Sequence, residues 1–169
     1  MLTVGLGELN RTKRIQIDAQ FEPDDPLWTG GAEAFETPLA VSLTAQLAGS
    51  DVVVRGHVTG TAVLPCRRCV TPVRCELAEE VTLVFQPGLS AEEAGAREVY
   101  PLPPGAGVLE LSEPVREHVL LAVPRFALCK ESCRGLCPRC GTDLNVSECT
   151  CGDPSPDERW AALRDVRFD

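Results

Sequence analysis

The spacing of the cysteines constrains this chain more than any other feature. Nine cysteines fall in 169 residues, and eight of them stand in close pairs. The pairs are Cys66-x-x-Cys69, Cys129-x-x-x-Cys133, Cys137-x-x-Cys140 and Cys149-x-Cys151. A chain-local pair supplies two corners of a thiolate tetrahedron, so two pairs complete one. The pattern predicts two four-cysteine sites holding two zinc ions. Gly135 before Cys137 and Gly141 after Cys140 free the backbone to fold beneath a metal, and Pro138 preorganises the turn. The ninth cysteine, Cys75, reads as a small buried apolar residue. An odd count argues against a disulfide framework. So does the opening Met1–Leu9 segment, which has neither a basic run nor a long apolar stretch of a secretory signal. The expected compartment is the cytoplasm.

Two pairings satisfy the arithmetic. In the first, Cys137 and Cys140 close with Cys149 and Cys151, leaving Cys66 and Cys69 for Cys129 and Cys133. That site would clip a turn to a segment some 60 residues later, where closing a long loop stabilises most. In the second, Cys66 and Cys69 join Cys137 and Cys140 as two matched knuckles. Rival chemistries are weaker. Cys137-Pro138-Arg139-Cys140 has the form of a redox dithiol, but Gly141 follows it and other cysteines crowd it, whereas redox motifs open a helix. An iron–sulfur cluster would also accept four thiolates, but paired knuckles favour zinc.

The expected fold is α+β. Leu39, Val41, Leu43, Ala45 and Leu47 alternate with smaller or polar residues, a period of two. Gly49, Ser50 and Asp51 make a turn. A second strand runs from Val52 to Leu64, with Val52, Val54, Val58, Ala62 and Leu64 on one face and Arg55, His57, Thr59 and Thr61 on the other. Gly56 and Gly60 read as bends or bulges. A third strand runs from about Arg74 to Phe85, and the link from Pro65 to Pro72 carries Cys66 and Cys69. Together these make an antiparallel meander or barrel-like sheet. Lys13 to Ile17 could open another strand. A loop rich in Pro and Gly follows it, which Trp28 and Phe35 pin onto the core. Residues 86–108 form an acidic connection with a short strand at Glu98 to Tyr100. Ser112 reads as the N-cap of a helix with Pro114 in its first turn, stopped by Pro124. Ser155 and Glu158 form a capping box for a short C-terminal helix through Trp160, Leu163 and Val166. The organisation expected is a β-rich domain over 1–128 and a cysteine-rich segment with the short helix over 129–169, packed on it.

Charge is asymmetric. The net charge is −9, which disfavours indiscriminate binding to nucleic acid or anionic lipid. No run, Val119 to Val123 included, approaches the roughly 20 apolar residues a bilayer span needs, so no membrane partner is expected. Yet Arg67, Arg68 and Arg74 surround the first cysteine pair, and Arg125, Lys130, Arg134 and Arg139 thread the later ones. Those seven are drawn from 16 basic residues, so the cysteine segments are locally cationic. Part of this offsets the formal −2 of a four-thiolate zinc. The remainder would suit phosphate, with Arg67, Arg68, Arg74, Lys130, Arg134 and Arg139 as candidate RNA contacts. Base stacking asks for interleaved aromatics, and the spacing is read as offering none.

Nothing reads as catalytic. All-thiolate zinc is closed and structural, whereas catalytic zinc keeps an open position. His57 and His118 belong to no recognisable motif, and no GxSxG, P-loop or GxGxxG occurs. No small-molecule substrate is expected.

Cys66-Arg67-Arg68-Cys69 after a Val/Leu strand resembles the first motif of the YceD family, the large ribosomal RNA subunit accumulation proteins. Cys129-Lys130-Glu131-Ser132-Cys133-Arg134-Gly135-Leu136-Cys137-Pro138-Arg139-Cys140-Gly141 resembles its C-terminal signature. So do Asp143-Leu144-Asn145, Cys149-Thr150-Cys151 and Asp157-Glu158-Arg159-Trp160-Ala161-Ala162-Leu163. Asp143 stands where the family often carries Asn, which leaves a local turn contact open. The resemblance covers the chain from about residue 39 and implies a role in accumulation of large-subunit (23S) ribosomal RNA during ribosome assembly. It implies ribosomal RNA or large-subunit ribosomal proteins as partners. It also implies a terminal cysteine set whose size varies among members. The competing readings are a zinc-bound protein-interaction module and a thiol redox or metal-sensing protein.

Overall fold

The computed structural model describes residues 2–28, 34–152, 159 and 167. Its elements in chain order are β1 (Thr3–Gly5), α1 (Leu6–Thr12), β2 (Arg14–Phe21), β3 (Ala34–Phe35), β4 (Leu39–Ala48), β5 (Asp51–Pro65), β6 (Pro72–Pro87), α2 (Ala91–Ala96), β7 (Tyr100–Leu102), β8 (Val108–Glu110) and α3 (Ser112–Ala122). This is an α+β fold. The expected C-terminal helix lies outside the described residues.

The alternation over residues 39–86 becomes the sheet. β4, β5 and β6 pair antiparallel in sequence order, β2 extends them beyond β4, and β7 adds a parallel edge to β6. β3 pairs with the far half of β5, so the long strand has a neighbour along most of its length. The inward set is the one the period of two predicts. Leu39, Val41, Leu43 and Ala45 are buried with Val52, Val54, Val58, Ala62 and Leu64, and with Val81, Leu83 and Phe85. Burying each large side chain contributes about 1.5–3 kcal/mol. α3 lays Val115 and Val119 onto this core, and Val123 just after it does the same. Trp28 fits between Phe21 and Phe35, its ring edge-on to both at 5.8 and 5.7 Å.

Two expectations need correction, for the glycines of β5 and for Ser112, and the burial of Thr61 needs an explanation. Gly56 and Gly60 mark no bulge, since the register runs unbroken from Val52 opposite Phe85 to Pro65 opposite Pro72. They mark close approach: a Cβ on Gly56 would run into the Ser42 carbonyl oxygen, and one on Gly60 into Leu39. Thr61 is buried although it faces away from the core, because the chain at 36–37 crosses over it. The Thr61 N–H donates to Thr37 Oγ1 at 2.9 Å, and the Glu36 N–H to the Thr61 carbonyl at 2.9 Å. Ser112 does not cap α3. The N-cap is Leu111, and Ser112 Oγ instead accepts the Leu2 N–H at 3.0 Å. That bond secures a small second sheet, β1 with β8.

The consequence for the site is the hairpin of β5 and β6. Its strands are 15 and 16 residues long. Its tip, between Pro65 and Pro72, carries Cys66 and Cys69. Among the described residues no helix is long and apolar enough to cross a membrane.

Candidate metal centres

Each CxxC forms the same small turn. At the hairpin tip the Cys66 N–H donates to the Thr71 carbonyl and the Val70 N–H to the Cys66 carbonyl, both at 2.8 Å. In the later segment the Cys137 N–H donates to the Thr142 carbonyl at 2.8 Å and the Gly141 N–H to the Cys137 carbonyl at 2.9 Å. The residue after the second cysteine turns left-handed in both, Val70 at φ 63° and Gly141 at φ 73°. A threonine hydroxyl then reaches the second sulfur, Thr71 to Cys69 at 3.2 Å and Thr142 to Cys140 at 3.1 Å. The shared pattern Cys-x-x-Cys-x-Thr therefore yields one knuckle twice.

The structure gathers Cys66, Cys69, Cys129 and Cys133 into one group and Cys137, Cys140, Cys149 and Cys151 into another. Within each, the sulfurs lie within 4.8 Å of one another. This is the first of the two pairings, not the matched-knuckle alternative. Cys66 and Cys133 sulfurs are 3.9 Å apart, and those of Cys69 and Cys129 3.6 Å. Four sulfurs at about 2.3 Å from a tetrahedral zinc stand about 3.8 Å apart, so the donor set and its spacing fit such an ion. Cys75 belongs to neither group and is half-buried against the core. Neither histidine belongs to them.

Proton affinities within each group are split. Backbone N–H groups, that of Cys129 foremost and then those of Arg68 and Cys69, hold the Cys66 thiol down at about 6. Desolvation and the neighbouring sulfurs push Cys129 up to about 12. In the second group the Thr142 hydroxyl leads the effects that bring Cys140 to about 6, while sharing a hydrogen bond with Cys140 pushes Cys151 up to about 12. Cys133 and Cys137 are lowered as well, so each set pairs thiols held low with one pushed up, and metal binding would release the protons the set retains.

The two centres differ in their frames. The Arg67 N–H donates to the Ala127 carbonyl at 3.0 Å, and the Leu136 N–H to the Arg68 carbonyl at 2.9 Å. The Arg68 guanidinium donates to the Glu131 and Cys133 carbonyls at 3.0 and 2.9 Å. Gly135, at φ 78°, permits this docking: a Cβ there would lie 2.9 Å from the Arg68 carbonyl oxygen. Asn145 is a tie that sequence reasoning quoted only within a motif. Its Oδ1 accepts the Arg134 N–H at 2.8 Å, and its Nδ2 points at Cys133 Sγ at 3.4 Å. Asp143 orients Asn145, accepting its N–H and its Nδ2 at 2.8 and 2.7 Å. The turn contact left open by the Asp at 143 is therefore made.

The candidate RNA contacts divide by what they touch. Arg68 is occupied by the backbone carbonyls just named. Arg74 pairs with Glu36 at 2.9 Å. Arg139 donates to the Cys151 carbonyl at 2.9 Å, bracing the second centre. Arg134 and Arg139 line a cavity of about 380 Å³ beside that centre. Arg67 lies 4.3 Å above the ring of Phe126. Lys130 stands at the turn whose carbonyl accepts the Cys133 N–H at 3.1 Å.

Residues 54–167 match the family described as large ribosomal RNA subunit accumulation protein YceD. An uncharacterised protein of Mycobacterium leprae is 30% identical over 131 residues, which is 76% of this chain and 59% of that protein. An uncharacterised protein of Mycobacterium tuberculosis is 31% identical over 125 residues, 74% of this chain and 60% of its own. A protein of Arabidopsis thaliana named large ribosomal RNA subunit accumulation protein YCED homolog 1, chloroplastic, is 32% identical over 65 residues, 38% of this chain and 20% of that protein. The chain spans about three fifths of the length of the mycobacterial relatives it matches. No solved structure matches it. The family match runs through both cysteine groups and the hairpin that presents the first, and the chain belongs to the YceD family.

Proposed function

We propose that this protein is a non-catalytic factor of ribosome biogenesis, needed for large-subunit ribosomal RNA to accumulate. Two structural zinc ions would fix its shape, one at each cysteine group. The observation that carries the reading is the family match across both groups, joined to thiol sets whose spacing suits closed zinc sites. The basic residues around the first centre would face ribosomal RNA or a large-subunit ribosomal protein in the cytoplasm, and the acidic remainder would suppress indiscriminate RNA binding. A thiol-redox role is less well supported. Cys137 and Cys140 are two members of a set of four and precede Gly141, not a helix.

Depleting the protein in its own host is expected to lower large-subunit RNA relative to small-subunit RNA. An unchanged ratio would refute the reading. Elemental analysis of the purified protein is expected to give two zinc ions per chain.

A further inference from the structure

Phe126 was passed over in the sequence, although it lies between Arg125 and Lys130. It is an aromatic ring set among basic residues, and the fold brings a third cation, Arg67, onto it. The Arg67 guanidinium lies 4.3 Å above the ring centroid, yet Phe126 remains 66% exposed. One ring face is covered by a cation and the rest is open. The backbone holds the pair in register, since the Arg67 N–H donates to the carbonyl of Ala127. Beside them is a groove of about 330 Å³ lined by Leu64, Pro65, Leu120, Val123, Arg125 and Ala127. That is within the range of small-ligand clefts. Val70 of the same knuckle is 61% exposed and left-handed, where the second knuckle uses glycine. A β-branched residue held in that conformation and facing solvent is an outlier of the kind found at functional surfaces.

Charge selects the occupant. Residues 64–74 and 120–130 contain Arg67, Arg68, Arg74, Arg125 and Lys130 and no acid, on a chain of net charge −9. Arg125 makes no ion pair among the described residues. We propose that Arg67 and Phe126 form a stacking site for an unpaired base of single-stranded RNA, with Arg125 beside it for the flanking phosphate. An exposed aromatic face accepts any base, a guanidinium extends the stack, and cations track the backbone. The choice of RNA over an acidic protein segment rests on the ribosomal reading above.

The test uses the full, metal-loaded chain and two labelled probes, an oligouridine strand and a blunt-ended RNA duplex of equal length, read by fluorescence anisotropy. Phe126→Leu is expected to weaken binding of the single strand by about 5- to 150-fold, the range that base–aromatic stacking spans on substitution. Binding of the duplex should stay within about twofold. Phe126→Tyr should retain the affinity. Metal content reports that the variants are folded, and Arg67→Gln, expected to weaken single-strand binding about fivefold, carries the test should Phe126→Leu fail to fold. Absence of single-strand binding by the unaltered chain, or equal losses on both probes, would overturn the site. If large-subunit RNA still falls on depletion while the probes do not bind, the ribosomal reading stands and the stacking site is refuted. If the probes bind as expected while depletion leaves that RNA normal, the site stands and the ribosomal reading is refuted.

Discussion

The two cysteine centres share a knuckle and differ in what the knuckle is built into. The first sits at the tip of the β5–β6 hairpin, with Cys66, Cys69 and Cys133 buried and Cys129 exposed. The second closes within the tail, where Cys137 is buried, Cys140 is exposed and Cys149 and Cys151 are half-exposed. Closing the first spans 67 positions from Cys66 to Cys133, against 14 from Cys137 to Cys151. That is a little over two doublings, worth about 1.4 kcal/mol at roughly 0.6 kcal/mol each. The larger difference is that the first centre joins segments far apart in sequence, which among the described residues meet there through a few hydrogen bonds from Arg67, Arg68 and Leu136. The same metal-binding turn can therefore hold a fold together or merely finish a local loop, depending on how far away its partner pair lies in sequence.

The strongest challenge to this contrast is to remove one centre at a time. Cys66→Ser is expected to lose one of the two metals, release the 129–133 segment and lower stability by about 5 kcal/mol. This is a fraction of the roughly 10–16 kcal/mol that structural zinc contributes to finger peptides. Cys137→Ser should lose the other metal and leave the melting of the sheet within about 1–2 kcal/mol. Metal counting with amide exchange along β5 and β6 reads both. Equal protection of the sheet in the two variants would abolish the distinction.

Part of this was legible beforehand. The strands between Leu39 and Phe85 largely alternate, and a period of two places side chains without knowledge of the fold. The cysteine groups were readable because chain-local pairs leave few ways to combine. What escaped depends on contacts between distant residues. β1 and β8 are three residues each, and their mutual pairing, with the Leu111–Leu2, Leu6–Gly107 and Leu2–Ser112 bonds at its ends, defines them. α1 offers a single buried residue, Leu9, too little for a periodic signal. The helix α2 was also missed, since residues 86–108 read as a connection although Ser90 and Glu93 form a capping box there. Arg74 reads as a free cation until the chain at Glu36 is folded against it.

Glycine substitutions sharpen the contrast further. Gly135 and Gly141 have nearly the same φ, 78° and 73°, but only Gly135 faces another segment. Gly135→Ala should cost about 3 kcal/mol, a left-handed alanine at about 1–2 plus a strained Leu136–Arg68 hydrogen bond at about 1. Gly141→Ala should cost only the first part, about 1–2 kcal/mol. Thermal unfolding of the metal-loaded variants measures both, and equal costs would mean that docking on Arg68 contributes nothing.

Asn145 tests whether chain position or contact decides which centre a residue serves. It lies between Cys140 and Cys149, inside the second centre's loop, but its amide points at Cys133 of the first. Asn145→Ala is expected to reduce metal affinity at the first centre by about 10- to 100-fold, as loss of an orienting hydrogen bond to a metal ligand does. The second centre should be unchanged. Competition with a chelator, resolved by a cobalt spectrum in Cys66→Ser and Cys137→Ser backgrounds, assigns the loss. A loss confined to the second centre would contradict the geometry.

The smallest effect separates the knuckles by what holds their low-affinity proton. Cys140 is brought to about 6 first by the Thr142 hydroxyl, whereas Cys66 reaches about 6 through backbone N–H groups, and Thr71 is not among its causes. Thr142→Val should therefore raise Cys140 toward its ordinary 9.0, and Thr71→Val should leave Cys66 in place. The sign follows from linkage. A thiol depressed in the fold contributes stability that is complete above its unfolded value of 9.0 and is lost as pH falls through about 6. Raising it shifts that loss upward, so the Thr142→Val protein should release metal from the second centre at a higher pH than the unaltered chain. The first centre, titrated in the Thr71→Val protein, should release at its original pH. A knuckle fixed by backbone tolerates its threonine being replaced. One fixed by a side chain does not, and parallel shifts in the two variants would show that the two turns are held in the same way.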